Sequence, residues 1–199
     1  MKQCFYVLFV SFFAVFCNKQ ESQPVEMNDD LQFTDQKSTI FYLIKKGNHY
    51  CEQNQPQLMN RNSMSAKVTF DSSAIYTSTD AGNQRDVNKL IGFSDCGNDH
   101  QQNSARLGWL WDNNKLVLYA YAYNQKARII KTLGNFDLNK TINCSIKAEK
   151  NYYYFKADSH KDSIPRYCAD FKDYRYKLFP YFGGDETAPH EITILIEED

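Results

Sequence analysis

The sequence lacks the short spacings that mark metal and redox sites. Its six cysteines include no C-x-x-C pair, and its four histidines show neither H-x-H nor H-E-x-x-H spacing. Zinc sites and thioredoxin-like motifs depend on such spacings. Acidic residues cluster at 95–99 and 185–186, but without the EF-hand pattern that calcium loops require. The sequence therefore predicts neither a metal nor a cofactor.

An excess of charge of one sign is also missing. The chain has 23 basic and 24 acidic residues, which gives a net charge of −1. Residues 1–17 contain Lys2 and no acid, so the chain without them is one charge more negative. Domains that bind nucleic acid usually carry a basic stripe or patch. The balance argues against a nucleic acid as the partner.

The apolar run at residues 5–16 is too short to cross a bilayer as a helix, which takes about 20 residues. Lys2 precedes the run and a polar stretch follows it, which is the layout of a secretory signal peptide. We expect residues 1–17 to be a signal peptide, residues 18–37 a flexible tether, and residues 38–199 one domain. The protein is therefore expected to be exported.

Cys17 directly ends the apolar run, as the lipid-accepting cysteine of bacterial lipoproteins does. Phe16 departs from the small residue that is usual before that cysteine. Lipidation of Cys17 would hold the protein on a membrane of the cell envelope, because buried acyl chains anchor strongly. The alternative is cleavage near this point and free secretion. We expect the lipid anchor.

The other cysteines after the signal peptide suit a structural role. An even number of cysteines in an exported chain permits disulfides. Four cysteines allow three connectivities for two bonds, and the sequence leaves the pairing open. These disulfide candidates are Cys51, Cys96, Cys144 and Cys168.

Strand patterns dominate residues 38–199. Short β-branched and aromatic runs are separated by turn residues, which predicts an antiparallel sandwich or barrel. Residues 83–91 alone show helical spacing, through Val87, Leu90 and Ile91, and predict one short connecting helix. About ten strands are predicted, at residues 39–44, 66–70, 74–79, 89–94, 104–111, 115–124, 127–133, 141–148, 152–157, 174–182 and 191–197.

The predicted strand at 115–124 separates small aliphatic residues from tyrosines, because side chains alternate between the two faces of a sheet. The aliphatic face suits the core. The tyrosine face could stack on sugar rings and offer phenol oxygens to hydroxyls. Alternatively, tyrosine is simply a good strand former on a half-buried face. The aliphatic face holds Leu116, Leu118, Ala120 and Ala122, and the other holds Tyr119, Tyr121 and Tyr123.

Residues 92–111 bring together an acid, an imidazole and a guanidinium. Asp95, His100 and Arg106 are candidate ligand-binding residues, and Arg106 could clamp a carboxylate with two hydrogen bonds. The alternative is a structural ion pair between Arg106 and Asp95.

Residues 174–191 run from an aromatic strand through a Gly-Gly turn into the last strand. Pro180 predicts an edge or a bulge in that strand. Tyr181 and His190 are candidates here, although a lone histidine at a strand start also suits a structural role. His49 and Tyr50, in the turn after the first strand, complete the candidate set.

Segments 46–50, 88–95, 103–109 and 176–190 resemble a group of small bacterial lipoproteins of unassigned function. More faintly, the aromatic strand, Gly-Gly turn and final strand are similar to the close of concanavalin A-like jelly rolls, including some polysaccharide lyases. That resemblance implies an all-β, two-sheet jelly-roll sandwich that handles glycans. It assigns no catalytic residue, because the paired Arg and Glu motifs of alginate lyases and the Glu-x-Asp-x-x-Glu of related glycosidases are absent.

Three functions remain open. The sequence favours a carbohydrate-binding protein and a non-enzymatic role. The first alternative is an interaction or structural lipoprotein of the envelope that binds no small ligand, for which we expect a convex surface without a groove. The second is a polysaccharide lyase, with His49, His100 or His190 as base, a tyrosine as acid and Arg106 neutralising a uronate.

Overall fold

Two antiparallel sheets pack face to face in the computed structural model, which describes residues 38–168 and 174–199. The all-β sandwich predicted from the sequence is confirmed. The predicted signal peptide with Cys17, and the predicted tether at 18–37, lie outside the described residues. No helix in the described part of the chain is long and apolar enough to cross a membrane.

Six strands form each sheet in the described ranges. The order is β1-β12-β3-β8-β9-β10 in the first sheet and β2-β11-β4-β5-β6-β7 in the second. The strands are β1 (Ser38–Ile44), β2 (Leu58–Met59), β3 (Ser63–Phe70), β4 (Asn88–Ser94), β5 (Asn103–Asp112), β6 (Lys115–Asn124), β7 (Ala127–Phe136), β8 (Thr141–Ala148), β9 (Tyr152–Ala157), β10 (His160–Pro165), β11 (Arg175–Leu178) and β12 (Ile192–Glu198).

The core lies between the sheets and follows the predicted alternation. On β6 the four aliphatic side chains are fully buried, while Tyr119 and Tyr123 stay partly exposed. Trp109 from β5 meets Phe70 from β3 across the core, with ring centroids 5.2 Å apart. Burying a large apolar side chain stabilises the folded state by about 1.5–3 kcal/mol. A shift of the strand register by one residue would expose all of these side chains at once, and the summed cost would exceed the stability of the sandwich.

The predicted helix at residues 83–91 is wrong. Ala81–Arg85 forms a short 3₁₀ helix, and the residues after it enter β4. A bulge shifts the β4–β5 register between Lys89 and Gly92. Leu90 and Ile91 are consecutive and yet both buried, since a bulge breaks the alternation of a strand. The bulge explains the apolar spacing that looked helical.

Two other strand predictions need correction. Residues 74–79 form no strand, because a 3₁₀ helix at Ser72–Ala74 leads into irregular chain. The predicted strand at 174–182 stops at Leu178, and Tyr181 then makes isolated bridges to Lys89 of β4 and to Tyr50. Pro180 lies in this interruption, where its missing N–H costs no ladder hydrogen bond.

One disulfide forms among the described cysteines, between Cys96 and Cys168. The second bond that the sequence permits does not form, and Cys51 and Cys144 are buried thiols. Burial raises the pKa of Cys51 to about 11 and that of Cys144 to about 12, so both remain protonated at neutral pH.

Asp95 lies beside the disulfide and is fully buried. Its carboxylate pairs with the guanidinium groups of Arg166 and Arg175 and accepts a hydrogen bond from the hydroxyl of Tyr153 at 2.8 Å. The alternative of an Arg106–Asp95 ion pair is therefore wrong. Oxygen and sulfur atoms of Asp95, Cys96 and Cys168 lie within 4.8 Å of one another, but both sulfurs are used by the disulfide.

Candidate functional site

Two adjoining cavities, of about 360 and 300 Å³, lie on the face of the second sheet that points away from the core. We call them together the groove. They cross the strands rather than follow one, because β11, β4, β5, β6 and β7 each contribute a side chain. Four residues line both cavities: Tyr50, His100, Arg106 and Tyr181.

Arg106 forms the floor of the groove from the middle of β5. Only 7% of the residue is exposed, and one Nη donates to the carbonyl of Phe179. Its Nε is buried without a hydrogen-bond partner in the described structure. Burial lowers the pKa of Arg106 to about 10, which means that the site disfavours the guanidinium charge.

Gly92 makes room for that arginine. It is the cross-strand partner of Arg106, and a Cβ at residue 92 would lie 2.2 Å from the carbonyl oxygen of Ala105 and 2.7 Å from Cγ of Arg106. Only glycine fits at such a distance. The Arg106 side chain can therefore lie against β4, close to the β4 bulge.

Lys89 is the second cation of the groove. Its Nζ donates to the carbonyl of Gly183 at 2.7 Å and lies 5.7 and 5.4 Å from the ring centroids of Tyr121 and Tyr181. Burial, and then repulsion from Arg106, lower the pKa of Lys89 to about 8. Two cations thus share one partly buried space and destabilise each other.

No carboxylate of the described residues contacts these two cations, although the charge of Asp86 acts on Lys89 from a longer distance. Neither Lys89 nor Arg106 forms an ion pair with any residue in the described ranges. Arg128 from β7 adds a third cation to the larger cavity, in which Asp185 is the one acid, while Lys177 of the smaller cavity pairs with Glu198. The groove is therefore positive in a chain whose net charge is −1. A buried unpaired charge is costly, and an anionic ligand would relieve that cost.

Tyrosine rings form the walls of the groove. Tyr121 and Tyr123 pack edge to face, with ring centroids 5.9 Å apart. Tyr181 stacks on His49 at 5.0 Å and meets Tyr50 edge-on at 4.9 Å. Tyr50 is 61% exposed, which leaves a large aromatic surface at the rim. Such rings offer both an apolar face and a hydroxyl to a ligand.

His100 stands at the junction of the two cavities. Its Nδ1 lies 3.3 Å from the hydroxyl of Tyr176, which also accepts a hydrogen bond from the backbone N–H of His100. Burial lowers the pKa of this imidazole, so it is mainly neutral at pH 7. A neutral imidazole at a groove wall can accept a proton or a hydrogen bond from a ligand.

The Gly-Gly turn at residues 183–184 forms one rim. Gly183 has φ +71, a left-handed conformation that suits glycine, and its carbonyl accepts from Lys89. Glu186 then fixes the turn, because its carboxylate accepts from the backbone N–H groups of Thr79 and Asp80. These hydrogen bonds lower the pKa of Glu186. The shape of this rim thus depends on a contact with the loop at residues 79–80.

Six of the ten candidate ligand-binding residues line the groove, and four do not. Asp95 is buried in its ion pairs. His49 lies behind Tyr181 and donates from Nδ1 to the carbonyl of Phe182. His190 bonds to the carbonyl of Ser73 through Nε2, and Tyr119 shares the tyrosine face without reaching the lining. The six are Tyr50, His100, Arg106, Tyr121, Tyr123 and Tyr181.

Sequence reasoning missed Lys89, Arg128 and Tyr176 as site residues. The sequence does contain an indication for Lys89, because it is the one charged residue in the apolar run at 89–94. The smooth convex surface expected for an envelope protein without a small ligand is not what the described residues form.

No protein-family model matches the chain, and no curated protein sequence matches it. Among solved structures, the fold is similar to that of alginate lyase AlyC3, with 13% identity over 81% of this chain and 74% of the lyase, and a TM-score of 0.54. The same lyase in complex with dimannuronate gives a TM-score of 0.53, with 13% identity over 81% of this chain and 73% of that one. These two likenesses confirm the jelly-roll fold.

A non-specific endo-β-1,3(4)-glucanase from family GH16 is less similar. Its identity is 7% over 71% of this chain and 57% of the glucanase, with a TM-score of 0.49.

Proposed function

We propose that this protein binds an acidic polysaccharide of the uronate type in the groove. The observation that carries the proposal is the pair of partly buried cations, Arg106 and Lys89, without a carboxylate partner in the described structure. A sugar carboxylate is an anion of the right size to lie between them. Arg106 would offer it two parallel hydrogen bonds, and Lys89 a single charge.

The tyrosine walls support a sugar as the carrier of that anion. Tyr121, Tyr123, Tyr181 and Tyr50 present ring faces and hydroxyls on both sides of the cations. A carbohydrate ring has apolar C–H faces and a rim of hydroxyls, and it can use both. The fold is that of a lyase whose solved complex contains dimannuronate, a disaccharide with carboxylates.

Binding to soluble polymers tests this proposal. Isothermal titration with polymannuronate, polygalacturonate and neutral dextran should give binding to at least one acidic polymer and none to dextran. Arg106→Met should weaken that binding about 10- to 100-fold, because a hydrogen bond to a charged group is worth ~1.5–3 kcal/mol. The matched control is Arg61→Met, since Arg61 is exposed and lines neither cavity of the groove. Equal affinities for the two variants would overturn the proposal.

A second candidate function is β-elimination in the same groove, and His100 favours it. Of the three histidines considered as bases, His100 alone lines the groove with Arg106, and its pKa is lowered. The imidazole would take the C5 proton of a uronate held by Arg106. The C4–O4 bond would then break, a tyrosine hydroxyl would protonate O4, and a C4–C5 double bond would form.

Ultraviolet absorbance of the unsaturated uronide measures that reaction. With the same acidic polymers, a lyase should give a rising signal that His100→Asn removes while binding persists. Flat traces with every polymer that binds would leave binding as the function.

Export and lipid attachment complete the proposal. A surface protein that captures polysaccharide needs access to it, and the sequence of residues 1–17 predicts that access. Fractionation of cells should place the protein in membranes, and Cys17→Ala should release it or stop its maturation.

A further inference from the structure

The second exposed aromatic and basic surface of the molecule lies on the first sheet, on the side away from the core. Strands β8, β9 and β10 form it, and we call it the lysine–tyrosine face. A shallow cavity of about 530 Å³ runs along it. Residues Lys147, Tyr154, Lys156 and Lys161 line that cavity, and Tyr152 continues it along β9.

Alternation on β9 produces this surface. Tyr153 and Phe155 point into the core, so Tyr152 and Tyr154 both point out, each 43% exposed. Their ring centroids are 6.1 Å apart, with the rings tilted by 47°. Two phenol rings thus lie side by side and partly exposed, and they offer a ligand both apolar ring faces and hydroxyl groups.

Lysines of the same face oppose each other. Lys156 and Lys161 are direct cross-strand partners. Like charges at opposed positions destabilise a strand pair, and neither lysine forms an ion pair with a residue of the described ranges. Lys147 is balanced by Glu149 at 2.8 Å. Asp162 does not offset the pair, because it bonds to Lys131 of the other sheet at 2.9 Å.

We propose that the lysine–tyrosine face is a second binding site for acidic polysaccharide, separate from the groove. An anionic chain would relieve the repulsion between Lys156 and Lys161, and its sugar rings would lie on Tyr152 and Tyr154. The choice of occupant rests on the proposed function of the groove. The two sites lie on opposite sides of the sandwich, so one molecule could hold two segments of polymer at once.

The two sites should respond differently to salt. The lysines of this face are exposed, so salt screens them strongly. The cations of the groove are largely buried and are screened less. Binding at the lysine–tyrosine face should therefore fade between low and physiological ionic strength, while binding in the groove persists.

Four versions of the full-length protein test the inference with immobilised polymannuronate at low salt. They are the wild type, Lys156→Glu with Lys161→Glu, Arg106→Met, and the control Lys46→Glu with Lys140→Glu, which changes the net charge equally at exposed positions. We expect the Lys156/Lys161 variant to bind about tenfold more weakly than the control, since each exposed charge contact contributes up to about fivefold. It should also lose most of the salt dependence.

Each outcome decides one proposal. If the Lys156/Lys161 variant matches the control while Arg106→Met binds weakly, the second site is refuted and the groove stands. If only the Lys156/Lys161 variant binds weakly, the second site stands and the groove proposal fails. No binding by the wild type to immobilised polymannuronate, or to polygalacturonate in a parallel run, refutes both. A loss confined to vesicles of phosphatidylglycerol, tested in parallel, would identify a lipid surface instead and overturn the inference.

Discussion

Buried arginines occur in two clusters of charged side chains, which differ in what neutralises them. Arg166 and Arg175 surround Asp95, and the disulfide lies beside them. Arg106 is buried almost as deeply, yet its hydrogen bond goes to a backbone carbonyl and its repulsion from Lys89 lowers the pKa of that lysine. We call the first cluster complete because it contains a carboxylate, and the second incomplete because no carboxylate of the described residues contacts Arg106. The two clusters therefore differ in whether the arginine has a counter-charge within the protein, and differ little in how deeply the arginine is buried.

Removing the acid of the complete cluster should have the largest effect. Asp95→Asn leaves two arginines buried without a counter-charge, and breaking a buried pair in this way costs about 3–5 kcal/mol. Denaturant titration should show that loss in the free energy of unfolding. Asp137→Asn, at an exposed turn, should change stability by less than about 0.5 kcal/mol. Similar values for the two variants would contradict a structural role for Asp95.

Opening the disulfide should have the next largest effect on the same cluster. Cys96 and Cys168 are 72 residues apart in sequence, and closing a loop of that length stabilises a protein by about 2–4 kcal/mol. Cys96→Ala with Cys168→Ala should lower the free energy of unfolding by that amount, as should reductant on the wild type. Cys144→Ala removes a free thiol and leaves the disulfide in place. Reductant should therefore lower the free energy of unfolding of this variant by the same amount as that of the wild type.

The incomplete cluster should behave in the opposite way. Arg106→Met removes a buried charge that has no counter-charge among the described residues, so we expect stability to be unchanged or higher while binding of acidic polymer falls. Arg106→Lys keeps the charge but loses the planar fork, and should recover part of the affinity. Thermal unfolding without ligand, together with titration calorimetry, measures both quantities. A marked loss of stability in Arg106→Met would make Arg106 a structural residue like Arg166.

The smallest effect should come from the proton of Lys89. Its pKa in the folded protein is lowered to about 8 from 10.5, so the unfolded chain holds more protons between those values. This group therefore opposes folding below pH 8, and its contribution improves as the pH rises toward 10.5. Binding changes in the other sense, because only the protonated amine attracts an anion. Affinity for acidic polymer should fall as the pH passes about 8, and Lys89→Met should remove that fall.

Much of the fold was accessible from the sequence because the strands carry a strict alternation. The bounds predicted for β6, β8 and β9 agree with the structure, and the buried side of β6 is the one that alternation indicates. Each of these strands has one face in the core and one outside. The alternation of apolar and polar residues with a period of two therefore predicts which face of the sheet each side chain lies on.

The failures occur where the period breaks. The bulge in β4 puts Leu90 and Ile91 on one side, and the resulting spacing imitates a helix. Pro180 interrupts the strand before Tyr181, so that ring leaves the alternation of β11 and reaches Lys89. Both irregularities lie next to the groove. The spacing of residues in a sequence predicts regular strands, so it could not predict a site that lies at a bulge and at an interrupted strand.

Long-range pairing was beyond the sequence for another reason. Arg106 and Asp95 are eleven residues apart and looked like natural partners, but Asp95 pairs with Arg166, 71 residues away. The turn between β4 and β5 separates Arg106 from Asp95. In addition, Arg106 projects from the outer face of the sheet, whereas Asp95 is fully buried. Tyr50, His100, Arg106, Tyr121 and Tyr181 likewise meet only once the sheet is assembled.

The groove is lined by the consecutive strands β4 to β7, by the remote strand β11 and by Tyr50 from the turn after β1, so no short fragment of the protein contains all of it. Ligand binding in the groove therefore requires the folded sandwich. A ligand that binds only the folded form raises the melting temperature by mass action. A rise in melting temperature across a library of polysaccharides would thus act as a label-free search for the natural ligand. Its size would rank the candidates before any of them had been modified or immobilised.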